Sequence, residues 1–150
     1  MARLDDAIVA IANSLNSAIK NGRLQMGSVA GNDVVDAVYD FAVQGGAIGT
    51  INLPVQIPAK AVIIGGFLDV ITAPTSGGAA TVAIGVESAA DIQSAIAIAS
   101  LTTGRKALIP VFTAASSVKT TVQRNVTITI ATAALTAGKF HIVLYYTVTE

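Results

Sequence analysis

Charged side chains make up only 12% of this 150-residue chain, about half the usual share, while 53% of residues are apolar. A folded monomer of 15.1 kDa exposes roughly 7,000 Å², so nine bases and nine acids supply about one charge per 400 Å². Such an exterior is poorly solvated, and the expected remedy is assembly, which hides part of it against other chains. The charges cancel to a formal net of zero. That leaves no electrostatic footprint for a phosphate backbone or an anionic membrane, so neither nucleic acid nor membrane is an expected partner. The longest unbroken apolar run, AVIIGGFL at 61–68, falls far short of the ~20 residues of a spanning helix, and a soluble chain is expected. Asp5 and Asp6 stand where an export signal needs positive charge, so synthesis in a cytoplasm without export is expected. With no cysteine there can be no disulfide and no thiolate metal site.

Two compositional zones meet near Gly45-Gly46, and the expected division is an amino-terminal arm, 1–44, followed by a β domain, 45–150. Residues 1–40 hold five acids, three bases and no proline; the rest hold four acids, six bases and all four prolines. Within the arm, Leu4, Ile8, Ile11, Leu15 and Ala18 step by four, three, four and three, predicting a helix over about 3–20 with one narrow apolar seam. Asn21-Gly22 stops it. A helix of that length is marginal alone in water, so the seam must lie on its own domain, a second copy or a partner. A linker follows, and then 34–44 reads as the first strand, because Val35, Ala37, Tyr39, Phe41 and Val43 alternate and β-branched and aromatic residues dominate.

The second zone reads as strand and turn repeated. Strands are expected at 50–57, with Pro54 and Pro58 marking an edge or bend; at 61–72, with a bulge or sharp bend at Gly65-Gly66 that would let it change sheets; at 79–86, entered by a PTSGG hairpin turn; and at 106–112, 120–132 and 139–149. Gly138 is expected as the left-handed residue of the last turn. One short amphipathic helix is predicted over 89–100 from Ile92, Ala95, Ile96 and Ala99, with Ser88 as its cap and Asp91 in its first turn. About seven short strands with a single helix between them exclude a doubly wound α/β fold and point to a mainly β chain, an antiparallel sandwich or barrel with an N-terminal helical arm. On the last strand Phe140, Ile142, Leu144, Tyr146 and Val148 should face the core, and Lys139, His141, Val143, Tyr145 and Thr147 should face outward as a surface suited to another subunit.

Chemistry has little to be built from. His141 is the one histidine, so neither a catalytic triad nor a histidine metal site is expected, and it reads as a surface or interface residue. Gly138-Lys139 lacks the Ser or Thr and the earlier glycine of a phosphate loop, and Gly77-Gly78 lacks dinucleotide spacing. Asp33, Asp36 and Asp40 lack the oxygen pattern of a calcium loop and read as a solvated acidic face. Arg105-Lys106 and Lys119 with Arg124 read as salt-bridging spots rather than a nucleic-acid track. No catalytic residue, cofactor, metal or small-molecule substrate is therefore expected.

The stretches IPAKAVIIGGFLDVITAPTSGGAATVAIGVESAADIQSA at 57–95 and TTVQRNVTITIATAALTAGKFHIVLYY at 120–146 resemble small structural proteins of tailed bacteriophages, most nearly capsid cement or decoration proteins. The resemblance spans 45–149 and rests on strand and turn patterns. It implies a β-sandwich or jelly roll that forms a homotrimer on the outside of an assembled head, binds the major capsid protein and bridges neighbouring capsomers. In that setting the seam Leu4, Ile8, Ile11 and Leu15 is the candidate lattice contact. The competing expectations are a tail or fibre component, with the helix as a trimeric stalk, and a carbohydrate-binding module. The absence of tryptophan and the presence of only three tyrosines count against the second.

Overall fold

The computed structural model describes residues 33–108 and 117–149; the helix expected over 3–20 lies outside them. The chain divides into two units, 1–31 and 32–150, and the described residues belong to the second. Eight strands follow in order: β1 (Asp33–Asp40), β2 (Gly49–Ile57), β3 (Ala61–Ser76), β4 (Thr81–Gly85), β5 (Gln93–Ala97), β6 (Gly104–Leu108), β7 (Arg124–Ala131) and β8 (Leu135–Val148). They form two four-stranded antiparallel sheets, β1-β8-β3-β6 and β2-β7-β4-β5. The chain is mainly β, as its alternation predicts.

Period-two patterning decides which side of each strand is covered. Val35, Ala37 and Tyr39 of β1 meet Phe140, Ile142 and Leu144 of β8, while Leu53, Val82, Ile84, Val126, Ile128 and Ile130 do the same in the second sheet, and all belong to one buried cluster. Fully burying each large side chain contributes about 1.5–3 kcal/mol. Tyr39 and Phe140 pair in register with ring centroids 4.9 Å apart, and the Tyr39 hydroxyl donates to the Gly45 carbonyl at 2.8 Å. On β8 the alternation holds through Leu144, Tyr146 packs partly buried against the core, and Val148 is half exposed rather than core.

Several local expectations give way, each to a nameable competitor. The first strand ends at Asp40 instead of 44: the Asp40 carboxylate accepts the Ala42 N–H at 3.0 Å, its own N–H reaches Gln44 Oε1 at 2.8 Å, and a single helical turn, Phe41–Gln44, follows, closed by Gly45 at φ +72°. No helix forms over 89–100. Both carboxylate oxygens of Asp91 are taken by backbone N–H groups of Val86, Glu87 and Ser88 at 2.8, 3.0 and 2.9 Å. The loop so tied returns the chain beside β4 as β5, with only a 3₁₀ turn at Ile98–Ser100. Strand pairing here overrides the helical propensity of an alanine-rich stretch. The PTSGG segment is not a hairpin turn, because β3 and β4 lie in different sheets and the connection crosses between them.

Gly138 is likewise not the turn residue between the last strands. That turn contains Thr132, at φ +72°, whereas Gly138, at φ +140°, lies inside β8 where a Cβ would stand 3.0 Å from Pro74. The strand β3 runs four residues beyond its expected end, and register shifts at 63/65 and 70/72 insert Ile64 and Ile71 as bulges that bend it along β8. It stays in one sheet. Beyond β6, residues 118–120 return to the same margin of β3: Ile63 donates to the Val118 carbonyl at 2.9 Å, and Thr120 and Ala61 bond through their backbones at 2.9 Å. Thr120 is the buried polar side chain among the described residues; its hydroxyl accepts the Ala61 N–H at 2.9 Å and donates to the Pro58 carbonyl at 2.6 Å.

Candidate interaction surface

No three of the His, Asp and Glu side chains among the described residues gather where they could hold a metal ion. Asp69 lies on β3, and Glu87 and Asp91 lie in the loop between β4 and β5, where each is already engaged: Asp91 by the three backbone amides and Glu87 by Arg124. Arg124 donates to Glu87 from Nε and Nη2 at 3.1 and 2.9 Å, a two-pronged contact, and Thr121 adds its hydroxyl at 2.6 Å. These bonds hold the Glu87 carboxyl at about 2, well below the usual range, chiefly through Arg124 and then Thr121. The arrangement is a clamp between the β4–β5 loop and the start of β7. It accounts for Arg124, one of the basic spots picked out in the sequence.

The two sheets present unlike exteriors. On the second, Thr50 and Thr129 share a hydroxyl hydrogen bond at 3.0 Å, Thr127 donates to the Gly85 carbonyl at 3.0 Å, and Asn125 donates to the Leu53 carbonyl at 2.7 Å and meets Gln56 at 3.4 Å. This exterior is polar and almost free of charge. On the first sheet, register aligns rows of side chains across the strands: Val38, His141, Asp69 and Arg105 in one, and Asp36, Val143, Phe67 and Ala107 in the next. His141, Val143 and Tyr145 face outward, as the alternation predicts, with Tyr145 exposed.

Charge and apolar surface interleave there. His141 Nδ1 lies 2.9 and 3.0 Å from the two Asp36 oxygens, and Lys139 Nζ lies 2.9 Å from Asp40. The Lys139 bond, helped by the Ala42 amide, lowers the pKa of the Asp40 carboxyl. The Phe67 and Tyr145 rings sit 6.3 Å apart, with the Arg105 guanidinium 5.8 Å from the Phe67 centroid. Asp36 and Asp40 are thus cross-strand partners of β8 rather than a purely solvated face. The candidate contact residues Leu4, Ile8, Ile11 and Leu15 lie outside the described residues. What sequence reasoning missed is the row structure, because neighbours such as Asp36 and His141 are 105 positions apart and only register reveals them.

No family model and no curated protein matches this chain. Solved structures do. The chain is similar to one in the acidic stable capsid structure of Helicobacter pylori bacteriophage KHP30, with 16% identity and a TM-score of 0.53 over 77% of this chain and 86% of that one. It is similar to a chain in the cyanophage Pam1 capsid asymmetric unit at 22% identity and TM-score 0.54, covering 82% and 90%. A third likeness is to the capsid of Ralstonia phage GP4, at 21% identity and TM-score 0.53, covering 85% and 92%. The resemblance to phage structural proteins carried by 57–95 and 120–146 therefore holds at the level of fold.

Proposed function

We propose that this chain is a structural protein of a phage virion: a homotrimeric cement protein, not an enzyme, that binds the outside of an assembled head through the major capsid protein and bridges neighbouring capsomers. The observation that carries the reading is the fold shared with chains of three phage capsid structures over 77–85% of this sequence. Strand order supports its finer form. The sheet orders 1-8-3-6 and 2-7-4-5 support a jelly-roll reading, eight strands in two Greek keys, an architecture found in viral capsid domains. Scarce charge and the mixed apolar exterior of the first sheet suit a surface that works against other proteins. The mechanism is linkage: a protein that binds only the assembled lattice lowers the free energy of that state, by about 2.7 kcal/mol per site at a hundredfold excess over Kd, and several contacts per trimer add as avidity.

The test is reconstitution. Purified chain is added to heads lacking it, and bound copies, their position and the heat resistance of the heads are measured by cryo-electron microscopy and thermal release. Saturable binding to the exterior with a raised release temperature is expected; a chain that ignores heads and remains a monomer sinks the reading. Replacing Leu4, Ile8, Ile11 and Leu15 by serine distinguishes cement from stalk, since a cement trimer keeps its mass and loses head binding, whereas a stalk protein loses its trimer.

A further inference from the structure

Charge on the first sheet is sorted by margin. Of the six acids among the described residues, Asp33, Asp36 and Asp40 lie on β1; of the six bases, Arg105 and Lys106 lie on β6 and Lys119 lies in the segment that continues the same margin through its bridge to Val62. There is no base on β1 and no acid on β6. These strands occupy opposite ends of the order β1-β8-β3-β6, and among the described residues each is hydrogen-bonded on one side only. Neutralisation among the described residues is incomplete. Asp40 meets Lys139 and Asp36 meets His141, but Asp33 and all three bases form no ion pair among the described residues, although Asp69 stands opposite Arg105 in the ladder. Arg105 and Lys119 are exposed.

We infer that the acidic β1 margin of one copy docks against the basic β6–Lys119 margin of the next, head to tail, closing a ring; this rests on the oligomeric reading proposed above and names its interface. The occupant follows from complementarity. A two-fold contact through either margin would set acid against acid or base against base, while a heterologous contact sets acid against base at every junction and closes when the rotation allows. Backbone groups that are unpaired among the described residues at both margins add hydrogen-bonding capacity to the same junction. Opposed charged margins speed encounter and fix register, and they make association sensitive to salt.

The experiment uses the full chain and sedimentation velocity across a concentration series. Three variants are compared: Asp33→Lys with Asp36→Lys, Arg105→Glu with Lys119→Glu, and all four together, with far-ultraviolet circular dichroism confirming the fold. Each one-margin reversal is expected to weaken association at least about tenfold, and the fourfold reversal to recover wild-type association within about threefold, because complementarity is restored with opposite sense. Wild-type chain provides the measurement that needs no variant: raising salt from about 50 to about 500 mM shortens the screening length roughly threefold and should weaken association about tenfold or more. Unchanged mass in the one-margin variants, failure of the fourfold variant to recover, or association indifferent to salt overturns the interface. Head binding on the same samples keeps the two readings apart. If wild-type trimers bind heads and the reversals leave their mass intact, the margins are wrong and the cement reading stands; a wild-type monomer that ignores heads removes both.

Discussion

Thr120 offers a direct measure of how tightly the segment 118–120, between β6 and β7, is tied to β3. Its side chain is 1% exposed, its hydroxyl accepts the Ala61 N–H at 2.9 Å, and it donates to the Pro58 carbonyl at 2.6 Å. Thr120→Val keeps the shape and deletes the hydroxyl, stranding one buried donor and one acceptor at about 1–3 kcal/mol each, roughly 2–6 kcal/mol together. Thr120→Ser keeps both bonds and removes one methyl group, worth about 1 kcal/mol. At roughly 3–6 °C per kcal/mol for a unit of this size, the valine variant should melt about 6–36 °C below wild type and the serine variant about 3–6 °C below. Circular dichroism melts and urea titrations at one fixed protein concentration provide the assay, since association shifts apparent stability. A serine variant as damaged as the valine variant, or more so, would show that methyl packing rather than hydrogen bonding holds the site.

The Glu87–Arg124 clamp predicts an acid dependence with a definite sign: a carboxyl held at about 2 when folded, below its ordinary value of 4.5, stabilises the fold above pH 4.5 and loses that contribution as pH falls toward 2. Urea midpoints between pH 6 and 2 should show a drop that Glu87→Gln flattens. Gly138→Ala places a side chain at φ +140° and 3.0 Å from Pro74, and should cost about 1–3 kcal/mol in chemical unfolding. The control Gly77→Ala, with open space around its Cβ position, should change little. Asp91→Ala removes the acceptor for three backbone N–H groups and should speed hydrogen exchange at Val86, Glu87 and Ser88, with Asp91→Asn intermediate because one amide oxygen remains.

Legibility in the sequence tracks how far the deciding interaction reaches. On β7 and on β8 up to Leu144, the face covered by the core was readable because alternation is local and one buried side fixes it: Val126, Ile128, Ile130, Phe140, Ile142 and Leu144 are where period two puts them. Where two local signals competed, the weaker-looking one won with help from a distance. Ile92, Ala95, Ile96 and Ala99 fit a helix, yet Asp91 ties the preceding loop and β4 supplies ladder bonds that an isolated helix would have to match alone. Glycine misled in the same way at 138, where the residue answers to Pro74, 64 positions earlier, rather than to a turn of its own.

The candidate surface was the least legible part, and for a reason that bears on how it works. Asp33, Asp36 and Asp40 look like one acidic stripe, and Arg105, Lys106 and Lys119 look like scattered basic spots, until topology puts β1 and β6 at opposite margins of a single sheet. Neither group has a meaning that composition can show, because their sum is nearly neutral and their separation is set by the crossing of the chain between sheets. A chain with so few charges gains most from them where they decide which margin meets which. In the docking inferred above, opposite charge on opposite margins favours a head-to-tail contact over a two-fold pair, which would set like margins together.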